Sequence, residues 1–206
     1  MTSQSAQNSA FAWLVTSLFV VWFILLTVGD FATTLIALAS GHAVELNPNA
    51  DNGTGSIRFG FLITANLLLM IPLTAAFTLG VTRAHQVPSH VLAHWWHYIV
   101  DVYFVSPLNE AARHRRPLRL VSAAMTLLVL KIVILASNTL VVLGYHNPTS
   151  LLAKLWTHAG LTGSPRYWAA YAVMIVPCYV AAVGLAAIIL RIAKQRLEGA
   201  SAIVDQ

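Results

Sequence analysis

Four long apolar stretches constrain this chain more than any motif does, because each is long enough to cross a lipid bilayer as a helix. They cover about residues 11–39, 57–82, 118–145 and 167–192. A helix needs about 20 apolar residues to cross a hydrocarbon layer of about 30 Å. In water, a helix that is apolar on all sides would have to be buried completely. The sequence therefore predicts an all-α integral membrane protein with four transmembrane helices.

The composition agrees with a membrane protein and leaves little material for a second domain. Hydrophobic residues make up 58% of the 206 residues and charged residues 9%, against about 25% charged residues in an average soluble domain. The connections between the apolar stretches are too short for an independent core, so we predict one polytopic membrane domain over residues 1–206. The arginines lie at helix ends and form no basic face with exposed aromatics, which argues against a nucleic-acid partner.

The positions of the basic residues predict the orientation of the four helices. Five arginines lie between the second and third apolar stretches or at the start of the third: Arg83, Arg113, Arg115, Arg116 and Arg119. Three more basic residues lie at the end of the fourth stretch or after it: Arg191, Lys194 and Arg196. Because cytoplasmic connections are enriched in Lys and Arg, both termini are predicted to be cytoplasmic, in a membrane of the bacterial inner-membrane type.

The middle connection contains a further apolar segment at about residues 88–108, which includes two tryptophans and two tyrosines. A fifth crossing would place Arg83 and the arginines after residue 112 on opposite sides of the membrane. It would also carry three histidines and Asp101 through hydrocarbon, at a cost of several kcal/mol. We therefore predict an interfacial or re-entrant helix here, since Trp and Tyr favour the level of the lipid headgroups.

Three histidines and an aspartate in this segment lie on one face of the predicted helix. His90, His94, His97 and Asp101 have the spacing i, i+4, i+7 and i+11. Such a nitrogen and oxygen set suits a divalent metal such as Zn or Fe, and it equally suits the wet face of an interfacial helix. Haem is disfavoured, because no apolar stretch carries a histidine in its interior.

Two charged residues and two asparagines lie in the interior of the apolar stretches: Asp30, Lys131, Asn66 and Asn138. An ionised group in hydrocarbon is costly unless it faces the protein and is paired. We therefore expect Asp30 to lie against Lys131, with the two asparagines supplying hydrogen bonds. This intramembrane polar cluster could fix the packing of the helices, bind a proton, ion or substrate, or contact a partner subunit.

The first outward connection combines turn formers with polar side chains. Its pattern, Asp30-x-x-Thr33-Thr34, then Gly41 and Glu45-x-Asn47-Pro48, resembles an uncharacterised family of small prokaryotic membrane proteins over about residues 25–70. The resemblance implies a helix–turn–helix opening and suggests that Asp30, Glu45 and Asn47 belong to one site; it implies no activity. His42, His146 and His158 are predicted on the same outer side, where with Glu45 they could form a second site or be solvated.

Three functions follow from these features. The first is a non-catalytic subunit or assembly component of a membrane complex, with protein partners or further copies of itself. The second is a metal-dependent enzyme or redox protein acting at the cytoplasmic lipid boundary through the His90, His94, His97 and Asp101 set. The third is an oligomeric transporter or channel built around Asp30 and Lys131.

Overall fold

The computed structural model describes residues 3–40, 58–100, 113–162 and 164–202, and it contains α-helices and short 3-10 helices but no strand in this part of the chain. Four helices are long: α1 (Ser3–Ala39), α2 (Phe59–Thr82), α4 (Arg116–Val142) and α6 (Ser164–Ala202). The shorter ones are α3 (Ser89–Ala93) and α5 (Pro148–His158), with 3-10 helices at Ala84–Gln86 and Trp95–Tyr98.

Each long helix contains a span that is long and apolar enough to cross a membrane. These spans are Ala10–Ala39, Phe59–Thr82, Arg116–Val142 and Trp168–Arg196. Many of their large apolar side chains point outward, for example Trp13, Leu68 and Val176, which are 69%, 64% and 59% exposed. Such a surface is compatible with contact to lipid. The prediction of four apolar helices is confirmed, and Pro72 and Pro177 lie inside two of them without ending them.

The third predicted span ends three residues early because a glycine stops the helix. Gly144 has φ +83°, a conformation that favours glycine. Its N–H donates to the carbonyl of Val141 (2.9 Å) and the N–H of Tyr145 donates to that of Leu140 (2.8 Å). This is the Schellman arrangement, which satisfies the last carbonyls of a helix. The apolar pattern continues to Tyr145, so hydrophobicity alone gave too long a helix.

Helix α5 was not predicted from the sequence, although it begins at an Asn-Pro pair, Asn147-Pro148. Proline is also favoured at the first position of a helix, where its missing N–H has no helical partner to lose. Pro148 occupies that position, directly after Asn147. Gly160, with φ +88°, follows the end of α5 and marks a second Schellman arrangement. Its N–H donates to the carbonyl of Thr157, and the N–H of Leu161 donates to that of Trp156.

The continuous helix predicted over residues 88–108 is wrong for the part that the structure describes. Helix α3 ends at Ala93, His94 adopts φ −117° and ψ 41°, and Trp95–Tyr98 forms a 3-10 helix. Consecutive aromatic residues lose side-chain freedom in a helix, and Trp95 packs against α6 instead of following the α-helical face. Residues 101–108 lie outside the described residues.

The chain divides into two compact units, each built from parts of several helices. Unit 1 contains residues 1–21, 71–127 and 179–206, and unit 2 contains residues 22–70 and 128–178. In unit 1, Phe19 of α1 stacks on Phe77 of α2 with ring centroids 4.6 Å apart. The hydroxyls of Thr16 and Thr78 lie 3.1 Å apart and share a hydrogen bond. Along α6, small side chains such as Ala182 and Ala186 are fully buried.

Gly80 in unit 1 permits a close approach between α2 and α4. A Cβ atom at this position would lie 2.9 Å from the backbone oxygen of Pro117 and 2.5 Å from Cγ2 of Val121. Real Cβ atoms do not approach backbone atoms so closely. The contact therefore requires glycine, in the manner of small-residue interfaces between membrane helices.

We predict that Gly80→Ala destabilises the protein by about 1–3 kcal/mol, the usual cost of adding atoms to a packed core. Gly60→Ala is the matched control in the same helix, because a Cβ at Gly60 would meet nothing within 4 Å. Thermal unfolding in detergent measures both. A melting temperature of Gly80→Ala equal to that of Gly60→Ala would show that α2 and α4 do not pack as described.

Candidate functional site

The intramembrane polar cluster lies in unit 2 and draws on α1, α2 and α4. Asp30 is supplied by α1, Asn66 by α2, and Lys131 and Asn138 by α4. The last two are seven residues apart, so they share one face of α4 and are separated by about 10 Å along its axis. Between them, Leu135 packs against Gly29, where an added Cβ would lie 3.2 Å from the leucine methyl carbons.

Lys131 is held by a neutral amide and an aromatic ring. Its side chain is 7% exposed, and its Nζ donates to Oδ1 of Asn66 at 2.7 Å. The Nζ atom also lies 5.0 Å from the ring centroid of Phe23, a cation–π contact. Asn66 is oriented in turn by its own Nδ2, which donates to the carbonyl of Leu62 at 2.8 Å. The Asn66 amide thus points its oxygen, the negative end of its dipole, toward the ammonium group.

Asp30 is held by the other asparagine. Nδ2 of Asn138 donates to Oδ1 of Asp30 at 2.8 Å and also contacts Oγ1 of Thr34 at 3.2 Å. Thr33 does not join this set, because its hydroxyl donates to the backbone carbonyls of Gly29 and Asp30. The two asparagines are used in opposite senses: Asn138 donates to the anion, and Asn66 accepts from the cation.

Asp30 and Lys131 attract each other electrostatically but do not form the direct ion pair that we expected. Each has an asparagine as its hydrogen-bond partner. Asp30 is also the only carboxylate among the residues whose side chains the structure describes. The result is two half-sites, each made of one charged group and one asparagine amide.

Sequence reasoning could not find two of the contacts that support this site. Phe23 has no feature that separates it from the other apolar residues of α1, and its place beneath Lys131 follows from helix packing. Ser137 Oγ donates to Oδ1 of Asn147 at 2.5 Å, which joins α4 to the residue before α5. In the sequence, the Asn-Pro pair before an apolar pattern could have indicated that α5 starts here.

The structure does not assemble a metal centre from the predicted histidine set within the described residues. There, no three His, Cys, Asp or Glu side chains are close enough to hold a metal ion. His94 and His97 are neighbours, with ring centroids 5.9 Å apart, and all three histidines of the set are exposed. Asp101 lies outside the described residues, so the complete set stays a prediction.

The outer candidates are only partly described. His42, Glu45 and Asn47 lie outside the described residues. His146 is exposed after α4, and His158 is exposed at the end of α5, where its Nδ1 lies 2.8 Å from the carbonyl oxygen of Lys154. Among the described hydrogen bonds, none joins His146 or His158 to the intramembrane polar cluster.

Comparison with known proteins adds no relative: no family model, no curated protein and no solved structure matches the chain significantly.

The two half-sites predict a specific pattern of energetic coupling. In a double-mutant cycle, Asp30→Leu and Asn138→Leu should be coupled by about 0.5–3 kcal/mol, because each single change leaves the other polar group without its partner. Lys131→Leu and Asn66→Leu should be coupled similarly. Unfolding free energies in detergent measure both cycles.

The control cycle combines Asp30→Leu with Thr78→Val, since the Thr78 hydroxyl bonds to Thr16 and to the Thr74 carbonyl and not to the cluster. These two changes should add within about 0.5 kcal/mol. Additive behaviour in the Asp30–Asn138 cycle as well would mean that this hydrogen bond does not contribute to folding.

Proposed function

We propose that this chain is a small four-helix integral membrane protein that serves as a non-catalytic subunit or assembly component of a membrane complex. The observation that carries the proposal is the exposure of α2. In its most apolar 18-residue window only 6% of the residues are buried, against 28%, 44% and 39% in α1, α4 and α6. Helix α2 therefore buries fewer residues in its apolar window than the other long helices do, and 12 of its 24 residues are exposed and available for contacts beyond this chain.

The exposed surface of α2 extends around much of its circumference. Leu67, Leu68 and Leu69 are 53%, 64% and 41% exposed. Consecutive residues point about 100° apart on a helix, so these three alone span about 200°. A helix that only completed this bundle would bury a wider stripe.

Polar features on the same helix favour a protein neighbour over lipid alone. Pro72 is exposed and lies inside α2; it has no N–H, so one helical carbonyl loses its donor. Thr64 is also exposed. Lipid tails cannot hydrogen-bond to such groups, whereas the side chains of an adjacent helix can.

The proposed location is a bacterial-type inner membrane with both termini cytoplasmic. Its support is the distribution of positive charge. Eight of the 12 Lys and Arg residues belong to unit 1: Arg83, Arg113, Arg115, Arg116, Arg119, Arg191, Lys194 and Arg196. The ends of α2 and α6 and the start of α4 lie in this unit, and such an excess is typical of the cytoplasmic side.

Gentle purification from native membranes should recover this chain with a stoichiometric partner, either another protein or further copies of itself. Leu68→Trp should reduce the recovered partner severalfold, because fluid lipid tolerates a larger side chain and a packed helix interface does not. Leu25→Trp on α1 is the control; Leu25 is 55% exposed, and this variant should keep the partner. A parent protein that runs as a lone monomer with nothing co-purifying would overturn the proposal.

A second candidate function, transport of a proton or small cation, is favoured by one observation. The charges of Asp30 and Lys131 are held by amides rather than by each other. Ionisable groups inside membrane spans often serve transport. Four helices leave little room for a pathway within one chain, so this function would require an oligomer.

The transport candidate predicts that Asp30→Asn abolishes cation flux. Asparagine has nearly the same shape and can still accept from Asn138, so the change removes the charge and little else. Proteoliposomes containing a pH-sensitive dye, with Na⁺ or K⁺ gradients, measure the flux. Ser137→Ala, which changes a neighbouring hydrogen bond outside the two half-sites, should leave it unchanged. Equal flux from Asp30→Asn and the parent would exclude this function.

A further inference from the structure

Helix α5 of unit 2 leaves two leucines exposed. Leu151 and Leu155 are 46% and 65% exposed, and their i, i+4 spacing places them on one face of the helix. Ala153 lies on the opposite face, because consecutive residues of a helix point about 100° apart, and it is 4% exposed. The helix therefore packs through its Ala153 side and directs both leucines away from that contact.

A neighbouring face of α5 is polar. Lys154 and His158 are exposed and also have the i, i+4 spacing. Nδ1 of His158 lies 2.8 Å from the carbonyl oxygen of Lys154, which holds the ring against the last turn of the helix. Leu152 and Trp156, which are half-buried, lie on the other side of the leucines. One continuous apolar side next to one polar stripe is typical of a helix that lies in a membrane interface.

The start of α5 is fixed beside the end of α4. Oγ of Ser137 donates to Oδ1 of Asn147, the residue that precedes α5. Ser137 lies five residues before Val142, where α4 ends, and five residues correspond to about 7.5 Å of helix. The chain therefore turns back after α4, and α5 begins near the last two turns of that apolar span.

Short connections keep the whole of α5 near the ends of two apolar spans. Five residues separate α4 from α5, and five separate α5 from α6. A connection of this length reaches about 20 Å at most. Both neighbouring helices contain a span that is long and apolar enough to cross a membrane. When these spans cross a bilayer, α5 is held at its surface.

Exposed aromatic residues lie at the same ends of these two spans. Tyr145 follows the end of α4 and is 67% exposed. Trp168, where the apolar span of α6 begins, is 54% exposed, and its ring centroid lies 6.3 Å from that of Tyr171. Trp and Tyr are enriched where a bilayer meets water. Helix α5 comes between these residues in the chain and adds Trp156 to them.

We propose that α5 lies in the interface of the lipid bilayer and inserts Leu151 and Leu155 among the acyl chains. Lys154 and His158 then remain among the headgroups and water. The long side chain of Lys154 can contact lipid through its methylene groups and still keep its ammonium group hydrated. In this position α5 holds the adjoining ends of α4 and α6 at a fixed depth. The inference rests on the four spans crossing a membrane, and not on the proposed partner complex or on transport.

Fluorescence quenching distinguishes lipid, water and protein as the surroundings of the two leucines. The full-length chain has one cysteine, Cys178, which is buried, and Cys178→Ala provides the background. A polarity-sensitive dye is attached in separate variants at Leu151→Cys, Leu155→Cys, Lys154→Cys and His158→Cys, in phosphatidylcholine vesicles. Iodide on both sides of the membrane quenches a dye in water. Phosphatidylcholine with a nitroxide near its headgroup quenches a dye in the upper acyl region.

We expect the nitroxide lipid to quench the dyes at the two leucine positions severalfold more than those at Lys154 and His158. Iodide quenching should follow the opposite order. Leu25→Cys is the reference for deep lipid, because Leu25 lies near the middle of the α1 span and is 55% exposed. A nitroxide at the far end of the acyl chain should quench this reference more than any dye on α5.

Two results would overturn the proposal. Equal iodide quenching at all four positions of α5 would place the helix in water. Protection of both leucine positions from iodide and from the nitroxide lipid would show that protein covers them. The covering protein would then be a second copy of this chain or its residues 41–57, which lie outside the described residues.

A second measurement needs no dye and keeps Cys178. Amide hydrogen exchange in α5 is followed by mass spectrometry, in the same vesicles, for Leu151→Gln combined with Leu155→Gln. Glutamine has nearly the helix propensity of leucine, so the main loss is contact with lipid, and exchange in α5 should become severalfold faster. Lys154→Gln combined with His158→Gln is the matched control and should exchange like the parent. Equal exchange in the two variants would contradict the insertion of the leucines.

Discussion

A charged side chain inside hydrocarbon must find in the protein the hydrogen bonds and dipoles that water would have given it. Lys131 is the clearest case among the described residues, because it is almost completely buried and donates to an amide oxygen rather than to a described carboxylate. Its ammonium group is contacted by the side-chain amide oxygen of Asn66 on α2 and by the ring of Phe23 on α1. Since these groups come from separate helices, satisfying one ammonium group fixes the relative height of all three.

Asp30 also needs a hydrogen-bond partner, but for a negative charge. Asn138 supplies it, two turns along α4 from Lys131. The two asparagines make the cluster sensitive to how the helices are arranged, because only one orientation of each amide suits the charged group that it contacts. A rotation or a shift of α4 by one residue would break both hydrogen bonds together. In lipid, where apolar packing discriminates weakly between neighbouring helices, such polar contacts specify the arrangement of the helices more sharply than the leucines around them do.

The parts of the fold governed by hydrophobic length could be predicted from the sequence. The four spans were predicted because an apolar run of sufficient length has few alternatives in a membrane protein. The residues of the polar cluster were also identifiable, since an Asp and a Lys within such runs are conspicuous. Their partners were not, because the choice between Asp30 and Asn66 as the acceptor for Lys131 depends on helix rotation. Single-sequence periodicity carries little information on rotation when every side of a helix is apolar.

The connections were predicted less well, for a local reason. Residues 88–100 contain apolar and aromatic side chains at a density that suits a helix, yet the helix is interrupted at His94. The interruption depends on the pairing of Trp95 with Gly184, which lies 89 positions later in the sequence. Helix α5, by contrast, carried a readable start signal at Asn147-Pro148. An Asn-Pro pair is found both in turns and at the start of helices, so this signal alone does not decide between the two.

The length of α6 has a mechanical consequence. Its 39 residues correspond to about 58 Å of continuous helix, nearly twice the thickness of the hydrocarbon layer. The helix does not end where its apolar span ends, because residues 197–202 continue it beyond Arg196. A tilt of α6 in a bilayer would therefore move the C-terminal end of the helix sideways. The displacement would increase with the length of helix beyond the apolar span.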